Sequence, residues 1–133
     1  MKIYLAAKFE QKMEMRDVRT LLESWGHEVT SQWIDVEHTE DHNIQVTDDM
    51  RIGYAQMDIN DVLRADVLVT FAGERKVPAI GGGRHVEFGV AVQAGMPIIV
   101  VGPKGEHIFH YLPSVNVIPG MDQLAEALLE VVK

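Results

Sequence analysis

Five short apolar runs alternate along the chain with longer segments of helical periodicity, and this alternation strongly constrains the fold. The runs predict strands at residues 3–7, 27–33, 66–71, 97–101 and 115–118. Apolar residues recur every three to four positions in the other segments, which predicts helices at residues 10–25, 50–64, 86–96 and 121–132. Such alternation favours a parallel sheet with helices on both faces.

Five strands in this order predict an α/β fold: a small flavodoxin-like, doubly wound parallel sheet with helices on both faces. We expect one domain over residues 1–133. In such sheets ligands bind beyond the carboxyl ends of the strands. Phe9, Trp33 and Phe71 fall on or near that edge, and so does Tyr4. An aromatic side chain there can stack on a base or pack in the core; core packing is favoured for Phe71.

Composition limits the class of partner. The 133 residues carry a formal net charge of -8, which argues against a protein that binds nucleic acid polymers. No apolar run approaches about 20 residues, so no membrane span is predicted. The N-terminal residues lack a signal-peptide layout, and the chain has no cysteine. A cytoplasmic location is therefore expected.

The segment from Ile80 to Gly89 contains three consecutive glycines, Gly81, Gly82 and Gly83, followed by a predicted helix in which Glu87 is the only charged residue. The glycines allow a ligand to approach the backbone closely, and Glu87 could point into the resulting pocket. Alternatively, Glu87 caps the helix N-terminus. The backbone amides of residues 81–85 could hold an anion with help from Arg84 and His85, or this segment is an exposed helix start.

Other acidic and histidine side chains leave alternatives open. Asp58 and Asp61 lie three apart on a predicted helix and, with Glu87, could supply the two carboxylates that glycosyl transfer commonly uses. The alternative is two surface acids. The six histidines form no recognised metal motif, so exposed loop histidines are the favoured interpretation and no metal site is predicted. Residues 35–49 form a long polar segment that we predict to be a loop, a length that is often functional.

Three elements together resemble the nucleoside 2-deoxyribosyltransferase family, which includes relatives that hydrolyse the N-glycosidic bond of nucleoside monophosphates. They are residues 2–7, Asp58 with residues 65–69, and residues 82–89. The resemblance implies that Glu87 is the nucleophile, that Asp58 positions the substrate and assists protonation of the leaving base, and that Tyr4 holds the nucleophilic carboxylate. It also implies a homo-oligomer in which a neighbouring subunit completes the site, and no metal or redox cofactor.

The sequence departs from the family pattern at two places. Transferases of the family carry a second aspartate where this chain has Gly81. The phosphate-binding loop of the monophosphate hydrolases is here Ala7-Lys8-Phe9-Glu10, in which only Lys8 could contact a phosphate. The predicted substrate-binding residues are Lys8, Phe9, Trp33, Gly81, Gly82, Gly83, Arg84 and His85.

The expected activity is N-glycosyl transfer on (deoxy)nucleosides through a covalent glycosyl-glutamate intermediate. One alternative is hydrolysis of the N-glycosidic bond of (deoxy)nucleoside 5'-monophosphates. Another is a non-catalytic module that binds a nucleotide as a sensor.

Overall fold

The computed structural model describes residues 1–36, 47–72 and 82–132. Its strands are β1 (Lys2–Ala6), β2 (Glu28–Val29), β3 (Val67–Phe71), β4 (Ile98–Val101) and β5 (Val115–Ile118). Its α-helices are α1 (Lys12–Ser24), α2 (Asp48–Leu63), α3 (Gly83–Gln93) and α4 (Leu124–Val132). Short 3₁₀ turns occupy Phe9–Gln11, Gln32–Asp35, Ile108–Tyr111 and Met121–Gln123.

The strands form one sheet in the order β2-β1-β3-β4-β5, and every neighbouring pair is parallel. This is the flavodoxin-like strand order, so the predicted fold class is confirmed. Right-handed crossovers place α1 on the face of the sheet opposite to α2 and α3. Ala6 pairs with Thr70 and Phe71 pairs with Val101, so the carboxyl ends of the three central strands meet at one edge.

The core lies on both sides of the central strands. β1, β3 and β4 are almost wholly buried because helices cover both faces of a parallel sheet, which is why these strands are continuously apolar rather than alternating. Met15 and Leu22 of α1 and Leu124 and Leu128 of α4 add fully buried side chains. No helix in the described part of the chain is long and apolar enough to cross a membrane.

The strand predicted at residues 27–33 is largely wrong. Only Glu28–Val29 pairs with β1, and the chain then turns into the 3₁₀ segment Gln32–Asp35. The cause is a long-range contact: the indole N–H of Trp33 donates to the Leu5 carbonyl at 2.8 Å, which draws the side chain into the core. A local sequence pattern does not contain this contact.

All four helix starts differ from the prediction. α1 and α4 begin two and three residues late, at Lys12 and Leu124, because a 3₁₀ turn precedes each of them. α3 begins at Gly83, three residues before the predicted start. α2 begins at Asp48, inside the segment predicted as a loop, where the Thr47 hydroxyl accepts the Met50 N–H at 3.2 Å. Residues 37–46 of that segment lie outside the described residues. Between β4 and β5 the chain forms the 3₁₀ segment Ile108–Tyr111.

Candidate active site

The centre of the candidate site is a hydrogen bond between β1 and α3. Tyr4 is fully buried on β1, and its hydroxyl donates to Oε2 of Glu87. Glu87 lies in the second turn of α3, because the helix begins at Gly83. The interpretation of Glu87 as a helix cap is therefore wrong: its carboxylate points to the sheet and not to the first amides of its own helix.

A second carboxyl group approaches from α2, which packs against α3. Asp58 is half-buried, and its Oδ1 is buried with no hydrogen-bond partner among the described residues. The charge of Asp58 acts on both Tyr4 and Glu87, so the three groups form one electrostatic cluster. The structure thus brings together the three residues predicted to be catalytic.

Burial controls the protonation of this cluster. Burial raises the pKa of Glu87 to about 8; the hydrogen bond from Tyr4 opposes this rise, and the charges of Asp58 and Asp61 add to it. Burial, followed by the charge of Asp61, raises the pKa of Asp58 to about 6. Burial and Glu87 raise the pKa of Tyr4 far above its usual range, so the phenol remains a donor. Two carboxyl groups that titrate near neutrality suit acid–base or nucleophilic chemistry.

Asp61 is not the surface acid that composition suggested. It is 1% exposed and accepts hydrogen bonds from the backbone N–H and the side-chain amide of Gln32, at 3.0 and 2.9 Å. The Arg64 guanidinium donates to the same carboxylate at 2.9 Å. The alternative interpretation of a surface pair is therefore wrong for Asp61.

Two of the three predicted floor glycines are described. Gly82 caps α3 and Gly83 is its first residue, while Gly81 lies outside the described residues. A Cβ atom added at Gly83 would meet no atom within 4 Å, and one at Gly82 would meet only the His85 ring, at 3.9 Å. Packing within the described chain therefore does not require glycine here, and the role of these positions in substrate binding stays a prediction.

Arg84 and His85 have protein partners. Arg84 is 6% exposed. Its guanidinium donates to both carboxylate oxygens of Glu106, at 2.7 and 2.9 Å. Nδ1 of His85 lies 3.3 Å from Nε2 of His107. Their assignment as substrate contacts stays a prediction, but in this structure the Arg84 charge is already paired.

Histidines around α3 form a packed cluster. His110 is 1% exposed, its ring lies 3.9 Å from that of His107, and both rings contact Phe88. The interpretation of the histidines as exposed loop residues is therefore wrong for His110, and His85 and His107 are half-buried. Across the described ranges, no group of three or more histidine or acidic side chains is arranged to hold a metal ion.

The remaining predicted binding residues lie after β1 and in the turn after β2. Phe9 is 44% exposed, and its ring centroid lies 6.2 Å from that of Trp33. Trp33 itself is 6% exposed, so core packing accounts for most of its surface. Lys8 is half-buried, and its backbone N–H donates to Gln11. Phe9 is thus the more exposed aromatic ring of the two at this edge, and the binding roles of all three stay predictions.

Comparison with known proteins bears on the fold. No protein-family model matches the sequence, and a search of the curated proteins finds no match. Among solved structures, a 2-deoxyribosyltransferase from Bacillus psychrosaccharolyticus superposes with a TM-score of 0.70 at 22% identity, covering 93% of this chain and 90% of that protein. The chain has the nucleoside deoxyribosyltransferase fold.

A second structure agrees with this assignment of the fold. A CMP N-glycosidase from Clostridium botulinum matches with a TM-score of 0.58 at 24% identity, covering 99% of this chain and 98% of that protein. The fold implied by the sequence resemblance is therefore confirmed over nearly the whole chain.

Sequence reasoning missed several residues beside the site. Glu106, His107 and His110 contact the first turns of α3 although they follow β4 in the chain. The available signal was topological: Gly102 directly follows a predicted strand, so the segment after it begins at the carboxyl edge of the sheet, where the start of α3 also lies. The spacing of the histidines gave no comparable signal.

Proposed function

We propose that the protein is an enzyme that cleaves the N-glycosidic bond of a (deoxy)nucleoside and transfers the sugar to a second base. The observation that carries this proposal is the partly buried Tyr4–Glu87 hydrogen bond with the Asp58 carboxyl group beside it. The fold neighbours support it, since one is a 2-deoxyribosyltransferase and the other a CMP N-glycosidase. The sequence resemblance assigns the same three residues.

In the proposed reaction, ionised Glu87 attacks the anomeric carbon of the sugar. A carbon–oxygen bond forms as the bond from carbon to the base nitrogen breaks, and that electron pair leaves with the base. Protonated Asp58 donates its proton to the departing base. Tyr4 donates a hydrogen bond to Oε2 of Glu87 and so holds the carboxylate in position.

The second step releases the sugar from the ester on Glu87. The nitrogen of an acceptor base attacks the anomeric carbon and gives its proton to Asp58, which restores both carboxyl groups and retains the anomeric configuration. Capture by water instead would give the alternative activity, hydrolysis, with a (deoxy)nucleoside 5'-monophosphate as substrate. The CMP N-glycosidase neighbour is the observation that keeps this alternative. Homo-oligomer assembly and a cytoplasmic location stay predictions.

The test is incubation with a panel of nucleosides and nucleoside monophosphates, with and without an acceptor base, read by chromatography. Product that depends on the acceptor indicates transfer; free sugar or sugar phosphate indicates hydrolysis. Glu87→Ala should lower the rate at least about 10³-fold. Mass spectrometry of the wild-type chain, quenched after mixing with substrate, should find the sugar on the peptide that contains Glu87.

Glu126→Gln is a matched control, because it removes a glutamate from an exposed position on α4. It should keep the wild-type rate. If Glu87→Ala released base as fast as wild type, Glu87 would not be the nucleophile. Tight binding of an intact nucleotide without turnover over hours would instead support the non-catalytic sensor.

A further inference from the structure

Asp61 lies three residues after Asp58 on α2, and its buried side chain is hydrogen-bonded to two other residues. The carboxylate is 1% exposed and accepts three N–H groups, two from Gln32 and one from Arg64. A carboxylate can accept all three of these hydrogen bonds. The Asp61 side chain is therefore held in one position on α2 by Gln32 and Arg64.

Asp58 lies one turn earlier in opposite surroundings. Its Oδ1 is buried without a hydrogen-bond partner among the described residues. A carboxylate oxygen that is buried without a donor is costly, so the surroundings of this atom favour the neutral acid. Residues three apart on a helix are neighbours, so the charge of Asp61 acts on Asp58 at short range.

The charged and titratable groups on the elements packed against this part of α2 can be named. Tyr4 on β1 is hydrogen-bonded to Glu87 on α3, and His85 on α3 lies 3.3 Å from His107. In the turn Gln32–Asp35, Asp35 is paired with Arg19 at 2.8 Å. Arg84 is paired with Glu106 and Arg64 with Asp61.

We propose that Asp61 is a positioning residue for the proposed reaction: its carboxylate, held by Gln32 and Arg64 one helical turn from Asp58, favours the protonated form of Asp58 that the reaction uses. The proposal rests on the proposed function, in which Asp58 protonates the leaving base. Asp61 touches no reacting atom. The charge of Asp61 is, after burial, the cause that raises the pKa of Asp58.

The same hydrogen bonds also give Asp61 a structural role. By accepting the backbone N–H of Gln32, it anchors the turn that carries Trp33 to the carboxyl end of β1, where Trp33 donates to Leu5. A purely structural role for Asp61 is thus the competing explanation, and the experiment must separate it from the electrostatic one.

Two substitutions break the same network with opposite changes of charge. Asp61→Asn removes the negative charge, and Arg64→Gln removes the positive charge that partly offsets it. We would follow the titration of Asp58 by carboxyl ¹³C NMR, in a Glu87→Gln background that removes the overlapping titration of Glu87. Asp61→Asn should lower the pKa of Asp58 by about 1 unit or more, and Arg64→Gln should raise it.

Structural disruption alone would move the Asp58 pKa in the same direction in both variants, and that result would overturn the proposal. So would an unchanged Asp58 pKa in Asp61→Asn. If Asp61→Asn fails to fold, the direction of the Arg64→Gln shift still decides.

The NMR readout uses no substrate, so its failure is distinguishable from failure of the proposed function. Inactivity of the wild-type chain across the nucleoside panel would refute the proposed function and leave the Asp58–Asp61 coupling measurable. An unmoved Asp58 pKa in an active enzyme would refute the role of Asp61 alone.

Discussion

At the scale of single residues, the Tyr4–Glu87–Asp58 cluster determines which proton arrangements are populated. The pKa of Glu87 is about 8 and that of Asp58 about 6, so at neutral pH the shared proton lies mainly on Glu87. The proposed chemistry needs the reverse arrangement, ionised Glu87 with protonated Asp58. With these pKa values, about one molecule in a hundred has ionised Glu87 and protonated Asp58 at pH 7.

This arrangement predicts a bell-shaped dependence of kcat/KM on pH, with limbs at about 6 and about 8. Below the lower limb both carboxyl groups are protonated and no nucleophile is present; above the upper limb both are ionised and no acid is present. Asp58→Asn should lose the falling limb, because the acid no longer titrates. Its single remaining limb should rise with the ionisation of Glu87, at a pH below 8 because the Asp58 charge no longer raises the pKa of Glu87.

The measurement is kcat/KM for one good substrate from pH 4.5 to 9.5 in wild type and Asp58→Asn. A variant that kept the falling limb at the same pH would show that another group is the acid. The overall rate of the variant should also be lower, most of all for bases that leave poorly.

The candidate residues differ in how far sequence could predict them. Glu87 stood out because it is the only charge in an apolar helix, and Asp58 because the family resemblance placed it. The environment of Asp61 could not be predicted, since its main partner, Gln32, is 29 residues away in the chain and on a different element. From their spacing, Asp58 and Asp61 were equally good candidates for a catalytic or a surface role. Their hydrogen bonds distinguish them, because Asp61 has partners on Gln32 and Arg64 whereas one oxygen of Asp58 has none among the described residues.

At the scale of elements, the carboxyl ends of β3 and β4 approach closely at Gly102. A Cβ atom added there would lie 2.6 Å from the Ala72 carbonyl oxygen, too close for any side chain. The Gly102 N–H also donates to Ile118 at 2.9 Å. Glycine is therefore required for the sheet edge to close as it does.

The matched substitutions Gly102→Ala and Gly53→Ala test this requirement. Gly102→Ala should destabilise the chain by about 1–3 kcal/mol, because backbone atoms must move apart. Gly53 lies inside α2, where an added Cβ meets no atom within 4 Å, so alanine should stabilise by about 0.5–1 kcal/mol through helix propensity. Urea denaturation measures both. Equal changes in the free energy of unfolding for the two variants would show that the close approach at Gly102 does not require glycine.

The positions of strands were predictable where the strand is a compact apolar run. They were less predictable where single long-range contacts determine where the strand ends. β3, β4 and β5 match their predicted positions to within a residue or so, because each is a compact apolar run. β2 is only two residues long, because Trp33 and the Gln32 N–H are captured by Leu5 and Asp61. These contacts join segments far apart in the chain, and local periodicity does not encode them.

At the scale of the whole molecule, the parallel topology assembles one site from three distant segments. Tyr4 comes from the first strand, Asp58 from the helix before the third strand and Glu87 from the helix after it. The carboxyl groups of Asp58 and Glu87 are brought together beside the Tyr4 phenol, on a chain that already carries a net charge of -8. Such a cluster costs folding free energy, and the apolar core around β1, β3 and β4 must offset that cost.

The cost should be visible in the pH dependence of stability. Because the pKa of Glu87 in the folded chain is about 8, above its ordinary value of 4.5, the stability linked to its proton is present below pH 4.5 and lost as pH rises through 8. Glu87→Gln cannot titrate and keeps an acceptor for Tyr4. Its melting temperature should match wild type near pH 4.5 and exceed it at pH 8.5, by about 5 °C for a penalty on the order of 2 kcal/mol.

Glu106→Gln is the matched control, with the opposite sign. Burial raises the pKa of Glu106, but hydrogen bonds and charge from Arg84 lower it to a net value below the ordinary 4.5. Stability from this pair is therefore present above pH 4.5 and lost as pH falls through the lower pKa of the folded chain. Glu106→Gln should melt below wild type at pH 8.5 and approach it in acid. If the difference in melting temperature between each variant and wild type were the same at every pH, neither carboxyl group would be coupled to folding as the structure indicates.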